Sequence, residues 1–169
     1  MEQAKALERE LKSLKDDIPR RPELSFEERR TTAILKEKLT VLGLEIIDLG
    51  METGVVAVLR GGLSGETVAL RADIDAIAQQ EAGHEGVVSC IDGIMHGCGH
   101  DFHTVGLYGA AKLLSQNREA LKGTVVFLFQ PAEEVTQGAQ AMIDHGLFDQ
   151  LPSQPQLLFG LHNRPELPA

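Results

Sequence analysis

A chain of 169 residues with 43% hydrophobic residues and a mean hydropathy of -0.08 can bury a core of its own and does not have the composition of a disordered segment. Its formal charge of -9, from 25 acidic residues against 16 scattered basic ones, argues against a nucleic-acid partner. No apolar run is long enough to cross a bilayer, and the N-terminal MEQAKALERELKSLKDD carries acids throughout, unlike a signal or transit sequence, so the expectation is one cytoplasmic domain without a membrane partner, whose Cys90 and Cys98 are free thiols.

Ala4, Leu7, Leu11 and Leu14 recur at the spacing of an amphipathic helix that ends before Pro19. In RRPELSFEERRTTAILKEKLTVLG, Ser25 and Glu28 have the spacing of a capping box and Gly43 stands where a helix stops, which predicts a second helix. LEIIDLG and GVVAVLR, short and rich in β-branched residues, read as an antiparallel hairpin, with GGLSGE as the next turn. TVALRAD is a third strand, leading into the acidic pair Asp73 and Asp75. From about Ala76 to Met95 there is no period and several glycines, as in a long functional loop. Val105, Leu107, Tyr108, Ala111 and Leu114 predict a helix from about Phe102 to Gln116, with Asp101 as a candidate N-cap. GTVVFLFQ is the continuous apolar run of a central buried strand; a helix from about Thr136 to His145 and a last strand, LLFGLH, follow. The alternation predicts an α/β fold, a mixed sheet with helices on both faces.

Ligands of such sheets collect beyond the carboxyl ends of the strands. Three clusters meet that condition: Asp73 with Asp75, Glu133 with Glu134, and His162. A fourth lies in MHGCGHDFHT, residues 95–104, with three histidines, a cysteine and an aspartate in ten positions. A turn hinged at Gly97 and Gly99 lets Cys98 and His100 both point inward. Thiolate, imidazole and carboxylate suit zinc, and the extra carboxylates keep manganese, cobalt and nickel open. Just past a strand, one of two adjacent glutamates can hold a metal while the other holds water. The blander readings are that Asp73 and Asp75 are turn residues, Asp101 a helix cap, His103 an orienting or surface group, and His84 and His145 solvated. His96 is either an orienting or a packing residue, and Cys90 a small filler under a loop.

The ordered set PELSFEE, LRADIDAI, MHGCGHDFHT, FQPAEE and GLHNRPELPA resembles the amidohydrolase branch of the aminoacylase and carboxypeptidase G type metallopeptidases, and the resemblance runs along nearly the whole chain. It implies a zinc-peptidase-like catalytic domain and two divalent ions, with Cys98 bridging them, His100 and His162 on one, Glu134 on the other, Glu133 as catalytic base and Asp75 orienting a ligand. The implied reaction is hydrolysis of the amide bond of N-acyl amino acids. Family members are usually more than twice as long, so residues 1–169 would be the N-terminal part of the catalytic domain, truncated before a lid and dimerisation domain and a C-terminal segment. Those parts normally supply a further histidine ligand and an oxyanion-stabilising histidine. Their absence implies a fragment that is inactive alone, that self-associates, or that needs the missing C-terminal polypeptide. IPRRPELS lacks the family's usual histidines before the proline, and DIDAIAQQ lacks a following proline. Two other readings compete: a non-catalytic metal-binding or regulatory fragment, and a metal-free hydrolase with Cys98 as nucleophile and His100 or His103 as base.

Overall fold

The computed structural model describes residues 2–83 and 86–163. The side chain of Ala4, residue His84 and the end of the last motif after Asn163 lie outside the described residues. The elements are α1 (Glu2–Asp17), α2 (Arg29–Val41), β1 (Glu45–Ile47), β2 (Val55–Arg60), β3 (Leu63–Asp73), α3 (His100–Gln116), a 3₁₀ turn (Arg118–Ala120), β4 (Lys122–Gln130), α4 (Gly138–Asp144), α5 (Leu147–Gln150) and β5 (Leu157–Gly160). Five strands form one mixed sheet in the order β1-β2-β4-β3-β5. The β1–β2 hairpin is antiparallel, β2 runs antiparallel to β4, and β3 is parallel to both β4 and β5.

Strand alternation sorts the apolar residues onto two faces. Val55, Ala57, Leu59, Val125, Phe127 and Phe129 pack with Leu14, Leu35, Leu39 and Tyr108 from α1, α2 and α3. Val56, Val58, Val126, Leu128 and Ala69 pack on the other side with Met142 of α4, Leu147 of α5 and Leu151. Helices therefore cover both faces, as the alternation requires. Burying a side chain such as Phe127 or Phe129, neither of them accessible to solvent, stabilises the fold by about 1.5–3 kcal/mol. No helix among the described residues is long and apolar enough to cross a membrane.

Several local expectations are corrected by long-range partners. Ser25 and Glu28 form no capping box: α2 has no side-chain cap bond from Glu28, and the Glu23 carboxylate accepts the Arg30 and Thr31 N–H groups, each at 2.7 Å. GGLSGE is not simply a turn, because β3 begins at Leu63 and reaches its regular pairing with β4 through a register shift before Thr67. The α3 helix starts at His100 with Gly99 (φ 79°) as N-cap, so Asp101 lies in its first turn. Thr136 has φ of 56°, which no helix tolerates, and α4 starts only at Gly138. The loop expected over 76–95 is pinned at its base, where Ile77 and Met95 exchange backbone hydrogen bonds of 3.0 and 3.1 Å. Cys90 in that loop is exposed rather than a filler.

Candidate metal centre

Parallel pairing brings the carboxyl ends of three strands to one rim. Asp73 is in register with Gln130, and Arg71 with Gly160, so the chain leaves β3, β4 and β5 on the same side, carrying Asp75, Glu133 with Glu134, and His162. The first turn of α3 arrives there too: Thr104 Oγ1 donates to the Asp73 carbonyl at 2.9 Å, and His103 Nδ1 lies 2.6 Å from Asp73 Oδ1. Of the two expected hinge glycines, Gly99 takes the left-handed backbone and Gly97 does not.

His100 is the centre of this arrangement, with 1% of its surface exposed. Its Nδ1 lies 3.0 Å from the Asp75 carbonyl oxygen and 3.1 Å from Asp75 Oδ1, both acceptors, so Nδ1 carries a proton and Nε2 is the nitrogen turned to the rim. Nε2 faces Asp73 Oδ2 at 3.6 Å, Glu133 Oε2 at 3.6 Å and Glu134 Oε1 at 3.7 Å. Both His100 Nε2 and Glu134 Oε1 are buried without a hydrogen-bond partner. Leaving a buried polar atom unsatisfied costs about 1–3 kcal/mol.

Electrostatics make the same point. Burial works to lower the His100 pKa, but the Asp75 hydrogen bond and the charges of Asp73, Asp75 and Glu134 outweigh it and raise the imidazole above its ordinary value. Burial works to raise Asp75, yet hydrogen bonds from His100, the Glu134 N–H and Ser25 Oγ together hold it below the usual carboxylate range. The Cys98 thiol lies against the Glu134 carboxylate, which, with burial and neighbouring acids, pushes its pKa up to about 12. A thiol so placed is not an activated nucleophile, which removes the support for a metal-free cysteine hydrolase.

Two sets of side chains bring one donor atom each to within 4.8 Å of one another: Asp73, His100 and His162, and His100, Glu133 and Glu134. His162 is exposed beyond β5, its ring centroid 5.8 Å from that of His100 and 4.9 Å from that of His103. The Asn163 N–H donates to His103 Nε2 at 3.0 Å, so His103, held by Asp73, fixes the segment that carries His162 and is not a mere surface residue. Asp73 belongs to the first set by distance, but Arg71 Nη1 occupies Oδ2 at 2.6 Å and His103 occupies Oδ1, which makes it an anchor. Of the remaining residues, His96 is partly buried and burial pushes its imidazole down to about 4, Asp101 is buried with a raised pKa, and His145 is exposed. Glu28 is the residue the sequence pattern misassigned: fully buried, it accepts the Ala132 N–H at 2.8 Å.

A mixed α/β sheet whose strand ends gather histidines and carboxylates around one buried imidazole, with a thiol against one of the carboxylates, has the donor set of a metal centre. Residues 69–169 match peptidase family M20/M25/M40, and the chain belongs to that family. It is 43% identical over 166 residues to an N-acetylcysteine deacetylase of Bacillus subtilis (strain 168), covering 98% of this chain and 43% of the relative. It is 42% identical over 160 residues to the hippurate hydrolase of Campylobacter jejuni, covering 94% of this chain and 40% of that enzyme. Among solved structures, the Bacillus subtilis YXEP protein, a dinuclear metal binding peptidase from the M20 family, superposes with a TM-score of 0.89 at 43% identity, over 97% of this chain and 45% of that one. The chain thus spans less than half the length of these relatives.

Proposed function

We propose that this chain is the N-terminal part of the catalytic domain of an amidohydrolase that uses two divalent ions to cleave N-acyl amino acids. The observation that carries the reading is the pair of unpartnered buried atoms, His100 Nε2 and Glu134 Oε1, 3.7 Å apart within a ring of four carboxylates. Cationic charge is what such a ring lacks, and nitrogen, sulfur and carboxylate donors fit zinc, manganese, cobalt or nickel. His100 and His162 would hold one ion and Glu134 the other, and the Cys98 thiol, which lies against Glu134, would also be a ligand. Deacetylase and hippurate hydrolase activities among the relatives support an N-acyl amino acid as substrate.

When bound, the ions would supply Lewis acidity, polarising the scissile carbonyl and acidifying water. The chain's own residues do the rest. Glu133, 34% exposed at its side chain against 22% for Glu134 and none for Asp73 and Asp75, is the most open of the four acids. Its carboxylate takes a proton from the attacking water and returns it to the amine nitrogen as the carbon–nitrogen bond breaks. Asp75 holds His100 in the tautomer whose Nε2 is a donor to a cation. The test is hydrolysis of N-acetyl and N-benzoyl amino acids by the full-length protein, with and without chelator. Glu133→Gln is expected to lower kcat by about 10²- to 10⁴-fold while leaving metal content unchanged. An active Glu133→Gln variant, or hydrolysis indifferent to chelation, overturns the reading.

A further inference from the structure

The turn that carries both rim glutamates has a backbone the chain must hold against its preference. Ala132 and Thr136 have φ of 51° and 56°, the left-handed region that costs a non-glycine residue about 1–2 kcal/mol. The Ala132 carbonyl accepts the Gln137 and Gly138 N–H groups at 3.3 and 3.1 Å, and the Thr136 N–H donates to the Glu133 carbonyl at 2.7 Å. A Cβ on residue 138 would stand 1.6 Å from the Pro131 carbonyl oxygen, so the ring closes only with glycine there. Two N–H groups of the turn, at residues 132 and 134, are gripped by acids from elsewhere in the chain. Asp75 Oδ2 accepts from Glu134 at 3.0 Å, and Glu28 Oε1 accepts from Ala132 at 2.8 Å.

Glu28 has no accessible surface and caps no helix, since Glu23 takes the N–H groups at the start of α2. Burial raises the Glu28 pKa and its side chain also meets Thr53 and the Phe26 backbone, but the bond to Ala132 ties it to the left-handed residue that precedes the glutamate pair, which gives it a positional role. We propose that Glu28 is a positioning residue that locks Ala132 in the left-handed conformation and thereby aims the Glu133 and Glu134 carboxylates at His100 Nε2. Without that acceptor, Ala132 relaxes toward ordinary φ, and the two side chains that follow swing away from the 3.6 and 3.7 Å positions they hold beside the imidazole. The inference rests on the functional reading above for what the aimed carboxylates do.

The experiment compares Glu28→Gln, Glu28→Asp and Glu28→Leu in the full-length protein, reading cobalt(II) affinity by calorimetry, amide hydrogen exchange at Ala132, and kcat and KM separately. Glutamine keeps an oxygen where Oε1 stands, aspartate keeps the charge but withdraws it by one methylene, and leucine removes the acceptor. Cobalt affinity and kcat are expected to fall about 10- to 100-fold in Glu28→Asp and Glu28→Leu. KM and the pH profile stay put, Ala132 exchange accelerates, and Glu28→Gln recovers most of the loss. If Glu28→Leu fails to fold, the order of Gln over Asp still decides, because a role based on charge alone predicts the reverse. Parental cobalt affinity and parental Ala132 exchange in Glu28→Asp would overturn the proposal. Failure of the functional reading looks different: the parent protein would bind no cobalt, or Glu133→Gln would remain active, whereas Ala132 exchange still reports on Glu28.

Discussion

Two acid clusters in this molecule are built in opposite ways. Between α1 and α3, Glu10 is met by Lys112 and by Lys38 at 3.2 Å, with the Tyr108 hydroxyl donating at 2.6 Å. Its pKa is lowered to about 2, chiefly by the hydrogen bonds from Lys112 and Tyr108. At the rim, Asp73, Asp75, Glu133 and Glu134 surround His100, with Arg71 on Asp73 as their protein salt-bridge cation among the described residues, apart from histidines. The first cluster is neutralised by its own chain and explains itself as structure. The second leaves a buried nitrogen and a buried oxygen without partners and only 3.7 Å apart, an arrangement that a bound cation would satisfy.

Substitutions should separate the clusters, and the largest effect is expected at His100. Its replacement by alanine removes the shared imidazole and leaves Asp75 Oδ1 short of a donor, so high-affinity metal binding should be lost and stability reduced by about 1–3 kcal/mol in urea unfolding. The exposed His162 tests the same centre without the burial: His162→Ala should weaken metal binding while changing stability by less than about 0.5 kcal/mol. Equal losses of stability in the two variants would erase the distinction between the buried and open sides of the rim. Asp75→Asn comes next, with metal affinity expected to drop about 10- to 100-fold as the tautomer of His100 loses its carboxylate acceptor.

The smallest effect belongs to Glu10. Because its carboxyl titrates lower in the folded protein than its ordinary 4.5, its contribution is fully present above about that pH and disappears as pH falls through about 2. Glu10→Gln should therefore lower stability at neutral pH by no more than about 1 kcal/mol, given its partial exposure, and the gap to the parent should close in acid. Metal binding should not change. A gap that widens in acid, or a loss of metal affinity, would mean the two clusters are not the separate devices described.

Which parts of this were readable from sequence follows the range of the interactions. His100 lies in a ten-residue motif and the tandem acids follow an apolar strand whose end is marked by Pro131, so local pattern suffices to bring these three to the strand ends. Glu28 misleads because its three-residue spacing from Ser25 imitates a capping box. Both side chains instead serve partners 104 and 50 residues away, Ala132 and Asp75. No local signal marks the left-handed Thr136 that delays α4, nor the register shift that lets β3 begin at Leu63. Sequence alone leaves His103 between two readings because the choice depends on Asp73 and Asn163, which come together only when β3 and β5 pair.

Anomalous diffraction at the cobalt edge, on crystals of the full-length protein grown with cobalt(II), tests the central claim most directly. A peak about 2.0–2.1 Å from His100 Nε2 with His162 beside it, and a second peak beside Glu134, is the expected result. Cobalt bound only elsewhere, or none at the rim at saturating concentration, would contradict it.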